Sequence, residues 1–223
     1  MDTKRIAGEK AVEYITDGMT VGLGTGSTVY WTIKKLGELV KAGLSIKAIP
    51  TSNHTEILAR KLNIPLSNFD EIKELDITID GADEIDAKYN LIKGGGGALL
   101  REKLVAISSK QLVIVADETK VVETLGKFPL PIEVVPFAWQ RTAKEITQQL
   151  NVLPKLRSVQ NEPYITDNGN FILDCNVSDI HAPAVLHQSL KQVTGVIDTG
   201  LFPNMANVVI IGSSDGVQVI EKV

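Results

Sequence analysis

The residues able to do chemistry gather in four places, each soon after a short apolar run. The first is Gly22-Leu23-Gly24-Thr25-Gly26-Ser27-Thr28. It stands between an expected strand and an expected helix, so its amides and the helix N-terminus can cradle an anion. Thr25, Ser27 and Thr28 add hydroxyl donors. A dinucleotide site does not fit, because Ser27 stands where the third glycine belongs and the next strand ends in Pro50-Thr51-Ser52, with no acid for a ribose. A P-loop does not fit either, because no Gly-Lys-Ser/Thr follows. A plain turn with an N-cap would use the same residue types. A phosphate explains the density of donors better.

The second place is Asp80-Gly81-Ala82-Asp83-Glu84, with Asp86 close behind. Clustered carboxylates can ligate a metal or move protons on a sugar's hydroxyls. A solvated acidic loop is the bland alternative, and the position at the end of a buried strand counts against it. The third place is Lys93-Gly94-Gly95-Gly96-Gly97. Four glycines in a row are costly in entropy. Inside a strand–helix pattern, close approach of backbone to ligand explains them better than a linker does, and Lys93 sets a point charge beside that backbone. The fourth is Glu102 in Ala98-Leu99-Leu100-Arg101-Glu102-Lys103. Alone it would be a helix-dipole partner, but its nearness to Lys93 and the glycines makes it a candidate base. Lys120, shortly after Ala116-Asp117, is a further lysine beyond a strand. His54, His181 and His187 form no triad, and Trp31 and Trp139 read as packing residues.

An anion cradle, two or three carboxylates, one or two lysines and no cofactor fingerprint suit one chemistry. A proton is taken from the carbon next to a carbonyl, and the enediolate is held by hydrogen bonds and positive charge. That is aldose–ketose isomerisation of a phosphorylated sugar, with neither metal nor cofactor expected.

The elements that must position these groups follow from periodicity. The first half alternates strands (Met19–Leu23, Ile46–Pro50, Leu75–Ile79, Leu112–Ala116) with helices (Ser27–Lys41, Thr55–Leu62, Ala98–Ser108). This predicts an α/β fold with a parallel sheet flanked by helices. A long polar, Gly-rich loop is expected after the third strand. Lys127-Phe128-Pro129-Leu130-Pro131 reads as a joint between units. Beyond it come a strand (Ile132–Pro136), a helix (Ala138–Leu150) and strand pieces near Leu156 and Phe171–Asn176, separated by the turn Thr166-Asp167-Asn168-Gly169-Asn170. A helix (Ala182–Gln192) and a strand (Val196–Thr199) complete a β-α-β-β-α-β order, a split βαβ, ferredoxin-like unit. The apolar tail, Asn207–Val223, needs a sheet to join, and the first domain is its expected host. The division expected is 1–128 plus 203–223 for the larger domain and 129–202 for the smaller.

Composition sets bounds on partners. With 223 residues, the chain suits one large domain or one with a smaller companion. Lys+Arg 23 against Asp+Glu 27 leaves a net charge of −4, the wrong sign for an obligatory nucleic-acid partner. Cys175 is the single cysteine and can form no internal disulfide. The start of the chain is charged and helical in pattern, and no apolar run approaches the roughly 20 residues a membrane span needs. A cytoplasmic protein with no membrane partner is the expectation.

In order along most of the chain, these blocks closely resemble type A ribose-5-phosphate isomerase. The resemblance rests on Gly24–Thr28, Asp80–Glu84, Lys93–Gly96 with Arg101-Glu102-Lys103, Ala116-Asp117 with Lys120, Gly126–Pro131, Thr166–Asn170, Gly200-Leu201-Phe202 and Asp215-Gly216-Val217. It implies interconversion of ribose 5-phosphate and ribulose 5-phosphate in the non-oxidative pentose phosphate pathway, without a metal. It assigns the proton shuttle between C1 and C2 to Glu102, ring opening and hydroxyl proton transfer to Asp80 and Asp83, and the steadying of the enediolate to Lys93. Substrate binding falls to Thr25, Gly26, Ser27, Thr28, Asp80, Gly81, Ala82, Asp83, Lys93, Gly94, Gly95, Gly96 and Lys120. It also implies a Rossmann-like domain with a smaller inserted domain, assembled as homodimers or tetramers in which the small domain takes part. A sugar-phosphate sensor would share the cradle without needing Glu102, and a coenzyme A transferase of related fold would use a glutamate as nucleophile.

Overall fold

The computed structural model describes residues 2–222. Helix α1 (Thr3–Ala11) starts at Asp2, whose carboxylate accepts the Arg5 N–H, a side-chain N-cap that satisfies an otherwise orphaned amide. Then follow β1 (Thr20–Leu23), α2 (Val29–Lys41), β2 (Lys47–Pro50), α3 (Asn53–Lys61), β3 (Ile77–Gly81), β4 (Glu84–Ile85), β5 (Leu91–Ile92), α4 (Leu99–Ile107) and β6 (Leu112–Asp117). The chain continues through β7 (Leu130–Val134), α5 (Trp139–Leu150), β8 (Lys155–Leu156), β9 (Ser158–Val159), β10 (Glu162–Pro163), β11 (Phe171–Cys175) and α6 (Pro183–Lys191). It ends with β12 (Val196–Thr199), β13 (Leu201–Phe202), β14 (Val208–Ser213) and β15 (Gly216–Glu221). By compactness it divides into two units: one up to Ala82 with Arg101–Val121 and the segment from Met205, the other Asp83–Leu100 with Val122–Asn204.

In the first unit a six-stranded sheet runs β15-β14-β6-β3-β1-β2. All its pairings are parallel except that of the edge strand β15. Strands buried on both faces read as apolar runs, and Val21, Leu23, Ile77, Ile79, Val113, Val115, Val208 and Ile210 form the core with Ala7, Ile33 and Leu36 from the helices. From β1 the chain goes to β2 on one side and then to β3 on the other. The order therefore reverses between β1 and β3, where an open α/β sheet leaves a crevice at its carboxyl ends. The apolar tail lies in this sheet, with β14 between β6 and β15.

In the second unit an antiparallel sheet runs β12-β7-β11-β8, with α5 and α6 as the connecting helices. This is the split βαβ order. Ile132, Val134, Ile146, Leu173, Cys175 and Leu190 fill its core. A second, three-stranded sheet runs β13-β5-β4.

Three expectations change. The loop after β3 is not structureless, because it contains β4 and β5. Two-residue strands carry no periodicity, and β5 pairs both with β4 and with β13, far along the chain. Residues 127–131 are not a simple joint. Leu130 already begins β7, and the Pro131 carbonyl accepts the Gly200 N–H at 2.7 Å. Proline keeps its acceptor, so a strand position that needs no N–H tolerates it. The turn at 166–170 forms, with Thr166 N–H donating to Asn170 O at 2.9 Å, but β9 and β10 precede it between β8 and β11.

Candidate active site

In the first unit the loops after β1, β2 and β3 are tied together by their own polar groups. One carboxylate oxygen of Asp80, Oδ1, accepts the Thr25 N–H at 3.0 Å and the Gly81 N–H at 2.7 Å. Asp80 is fully buried at the end of β3. The Thr25 hydroxyl faces the chain's own polar groups. It donates to Ser52 Oγ (2.8 Å), Ser52 to Thr55 Oγ1 (3.1 Å), and Thr55 to the Gly24 carbonyl (2.8 Å), with Thr51 Oγ1 2.7 Å from Thr25. This chain of hydroxyls makes the bend after β1 rigid. Thr51 and Ser52 end the second expected strand in the sequence, but neither they nor Thr55 belong to a motif that announces a partnership with Thr25.

Gly26 and Ser27 are exposed at the tip of the bend, with Gly26 at φ +130°. Thr28, the N-cap of α2, makes no side-chain cap bond. Lys4 Nζ donates to Ser27 Oγ at 3.1 Å. This sets a cation from α1 beside the bend, a neighbour that the spacing of the sequence could not reveal. Glu102 lies in the first turn of α4 and is 4% exposed, and Arg101 beside it donates to Asn53 Oδ1 at 2.9 Å. Lys120 closes a short 3₁₀ turn after β6 and is half-buried.

In the second unit Asp83 and Lys93 flank adjacent strands. The Asp83 N–H donates to Ile92 O at 2.8 Å, and the Lys93 N–H to Gly200 O at 2.9 Å. Lys93 is 2% exposed, and its ammonium lies 5.5 Å from the Phe202 ring centre, within cation–π range. Asp83 Oδ2 accepts the Gly95 N–H at 2.7 Å. The glycine run is needed by the chain's own side chains: a Cβ on Gly95 would meet the Asp83 carboxylate at 2.6 Å, and one on Gly97 the Tyr164 hydroxyl at 2.2 Å. Arg157 and Tyr164 reach the carbonyls of this run. Burial pushes the Tyr164 phenol above its ordinary range, which keeps it a donor.

The acidic cluster disperses. Glu84 is buried and accepts the Gly126 and Phe128 N–H groups at 2.7 and 2.5 Å, while Asp86 accepts from Asn90 and Lys88 to close a turn. Asp80 and Asp83 likewise accept backbone N–H groups, from Thr25 and Gly81 and from Gly95, and Gly81 and Ala82 are the residues that link them.

A mostly parallel sheet with polar loops at its carboxyl ends, and a second unit carrying a split βαβ sheet and a lysine–glycine loop after β5, place the chain among the α/β proteins. The comparisons narrow this. The profile of the family "Ribose 5-phosphate isomerase A (phosphoriboisomerase A)" matches residues 47–216. Ribose-5-phosphate isomerase A of Bacillus mycoides is 57% identical over 219 residues, 98% of this chain and 99% of the relative. The structure of ribose 5-phosphate isomerase from Plasmodium falciparum superposes with a TM-score of 0.95 at 43% identity, covering 99% of this chain and 98% of that one. A D-ribose-5-phosphate isomerase in complex with phospho-erythronic acid does so with a TM-score of 0.95 at 40% identity, over 99% and 98% of the two chains. The chain belongs to the ribose 5-phosphate isomerase A family.

Proposed function

We propose that this chain interconverts ribose 5-phosphate and ribulose 5-phosphate through an enediolate, with no metal or cofactor, as a step of the pentose phosphate pathway. The observation that carries this reading is that Asp80, Lys93 and Glu102 are all more than nine-tenths buried in a chain of this family. Charged side chains are almost never buried to that extent without a specific role or partner. The phospho-erythronic acid held by the related isomerase is a polyol phosphate whose carboxylate matches the planar charge of an enediolate.

The bend Thr25, Gly26, Ser27, Thr28, with Lys4 and Lys120, receives the phosphate. Asp80 and Asp83 assist ring opening and carry the hydroxyl proton between O2 and O1. Glu102 takes the proton from C2, and the electron pair moves through C1 onto the carbonyl oxygen to give the enediolate, whose charge Lys93 balances. The same proton then returns to C1 as the C2 oxygen becomes the ketone. Gly81, Ala82, Gly94, Gly95 and Gly96 shape the backbone around the sugar. The working form is a homodimer or tetramer in the cytoplasm, with the segment 129–202 supplying contacts. Phe137, Leu153, Val159, Ile165 and Val185 are exposed there, and sedimentation of the purified protein tests this.

Turnover of ribose 5-phosphate after exhaustive dialysis against EDTA, with nothing added back, is the deciding assay. Activity retained supports the reading. Activity lost and restored by a divalent ion would overturn the metal-free mechanism, and no turnover with or without metal would overturn the function.

A further inference from the structure

Arg157 matches no motif and stands in an irregular stretch between β8 and β9, yet it makes four side-chain hydrogen bonds. Nε and Nη2 form a two-pronged pair with Asp174 (2.9 and 2.5 Å), and Nη1 donates to the carbonyls of Gly94 (2.8 Å) and Gly95 (3.1 Å). The Arg157 side chain is 15% exposed and that of Asp174 21%. A planar fork of this kind is specific to arginine, because lysine offers only a point charge. The segment around it is itself braced. The Arg157 N–H donates to Ile172 O, and its carbonyl accepts the Tyr164 N–H at 2.9 Å. The Tyr164 ring faces the guanidinium, and its hydroxyl donates to Gly96 O. Downstream, buried Glu133 Oε1 accepts from Thr166 Oγ1 (2.9 Å) and Asn170 Nδ2 (2.9 Å), pinning the turn that follows Tyr164.

Three successive glycine carbonyls are thus held from one side. Across a trans peptide the C=O of one residue and the N–H of the next point in opposite directions. Holding the Gly94 carbonyl on Arg157 therefore aims the Gly95 N–H the other way, where Asp83 Oδ2 accepts it at 2.7 Å. Holding the Gly95 carbonyl likewise turns the N–H of Gly96, an exposed residue, away from the guanidinium. We propose that Arg157, oriented by Asp174, is a positioning residue. It sets the Lys93–Gly97 loop so that one amide fixes Asp83 and the next is presented to an anionic oxygen of the reacting sugar. The inference rests on the reading above, in which this loop receives the substrate.

The test compares wild type, Arg157→Lys, Arg157→Ala and Asp174→Asn for kcat and KM on ribose 5-phosphate, with melting curves alongside. A misplacement of reacting groups by about 1 Å costs on the order of 10²-fold. Arg157→Ala should therefore lose about that factor in kcat, with KM changed far less. Arg157→Lys should remain impaired despite its charge. Asp174→Asn should lose part of the same factor, and guanidinium ion added to folded Arg157→Ala should restore part of it, which a purely structural role would not do. If Arg157→Ala does not fold, Arg157→Lys and Asp174→Asn carry the comparison. Folded variants with kcat within about threefold of wild type, or with the loss confined to KM, would overturn the proposal. Absence of turnover in wild type would instead overturn the function on which it rests.

Discussion

Gly24 and Asp80 share space that no side chain at residue 24 could enter: a Cβ there would lie 2.1 Å from Asp80 Oδ1 and 2.5 Å from the Asp80 Cα. Gly24 follows β1 and Asp80 lies near the end of the neighbouring parallel strand β3, and the Gly24 N–H donates to Ile79 O at 2.9 Å. The absence of a Cβ lets the carboxylate lie against the bend and take the Thr25 N–H.

Gly24→Ala is accordingly expected to push Asp80 out of place. Forcing extra volume into packed space costs about 1–3 kcal/mol, and turnover should fall more steeply than stability if Asp80 acts on the sugar as proposed. Thermal melts and steady-state assays on one preparation check this. A variant with wild-type melting and wild-type turnover would show that Asp80 needs no such approach.

Glu102→Gln keeps the size of the side chain and removes its basicity. General-base catalysis is worth about 10²–10⁴-fold, so kcat should fall by at least two orders of magnitude, with substrate affinity little changed. Exchange of the C2 proton with solvent deuterium should collapse in parallel. If Glu102 served only the helix dipole, the variant would lose roughly 0.3–1 kcal/mol of stability and isomerise nearly normally.

Asp76 offers a pH test remote from the chemistry. The Lys110 ammonium, at 2.8 Å, together with the Thr20 N–H and hydroxyl, holds its carboxyl at about 2. The unfolded value is roughly 3.9. A carboxyl depressed on folding stabilises the native state fully above the unfolded value and ceases to do so as pH falls through the folded one. The side chain is 33% exposed, so solvent screening limits the effect to about 1 kcal/mol. Urea titrations should show Asp76→Asn weaker than wild type by that amount at pH 7, the gap closing from pH 4 down to pH 2. A constant gap over the whole range would rule the ion pair out.

Burial pushes the Cys175 thiol up to about 12, with Asp174 adding to the shift. The thiolate is the reactive form, so a disulfide reagent at pH 8 should label the native protein only as fast as the second unit opens. Labelling should become immediate in denaturant. Rapid stoichiometric labelling without denaturant would contradict the packing of β11.

The sequence by itself determined whatever is encoded within a dozen residues. Strand–bend–helix grammar placed the bends after β1 and β3 and the helix carrying Glu102, and it marked Asp80, Lys93 and Glu102 as the groups to watch. It also read the β-α-β-β-α-β order of the second unit, because each element there is long enough to show its own period. Tertiary structure alone decided which distant segments meet. The strands β4 and β5 pair with each other and β5 also with the distant β13, and two residues cannot announce a strand. Lys4 reaches Ser27, Thr25 turns to the hydroxyls of the second bend, and Arg157 grips Gly94, through packing between segments whose sequence separation carries no signal. Local periodicity records which way a residue faces, whereas its partner is chosen by the burial of the whole chain.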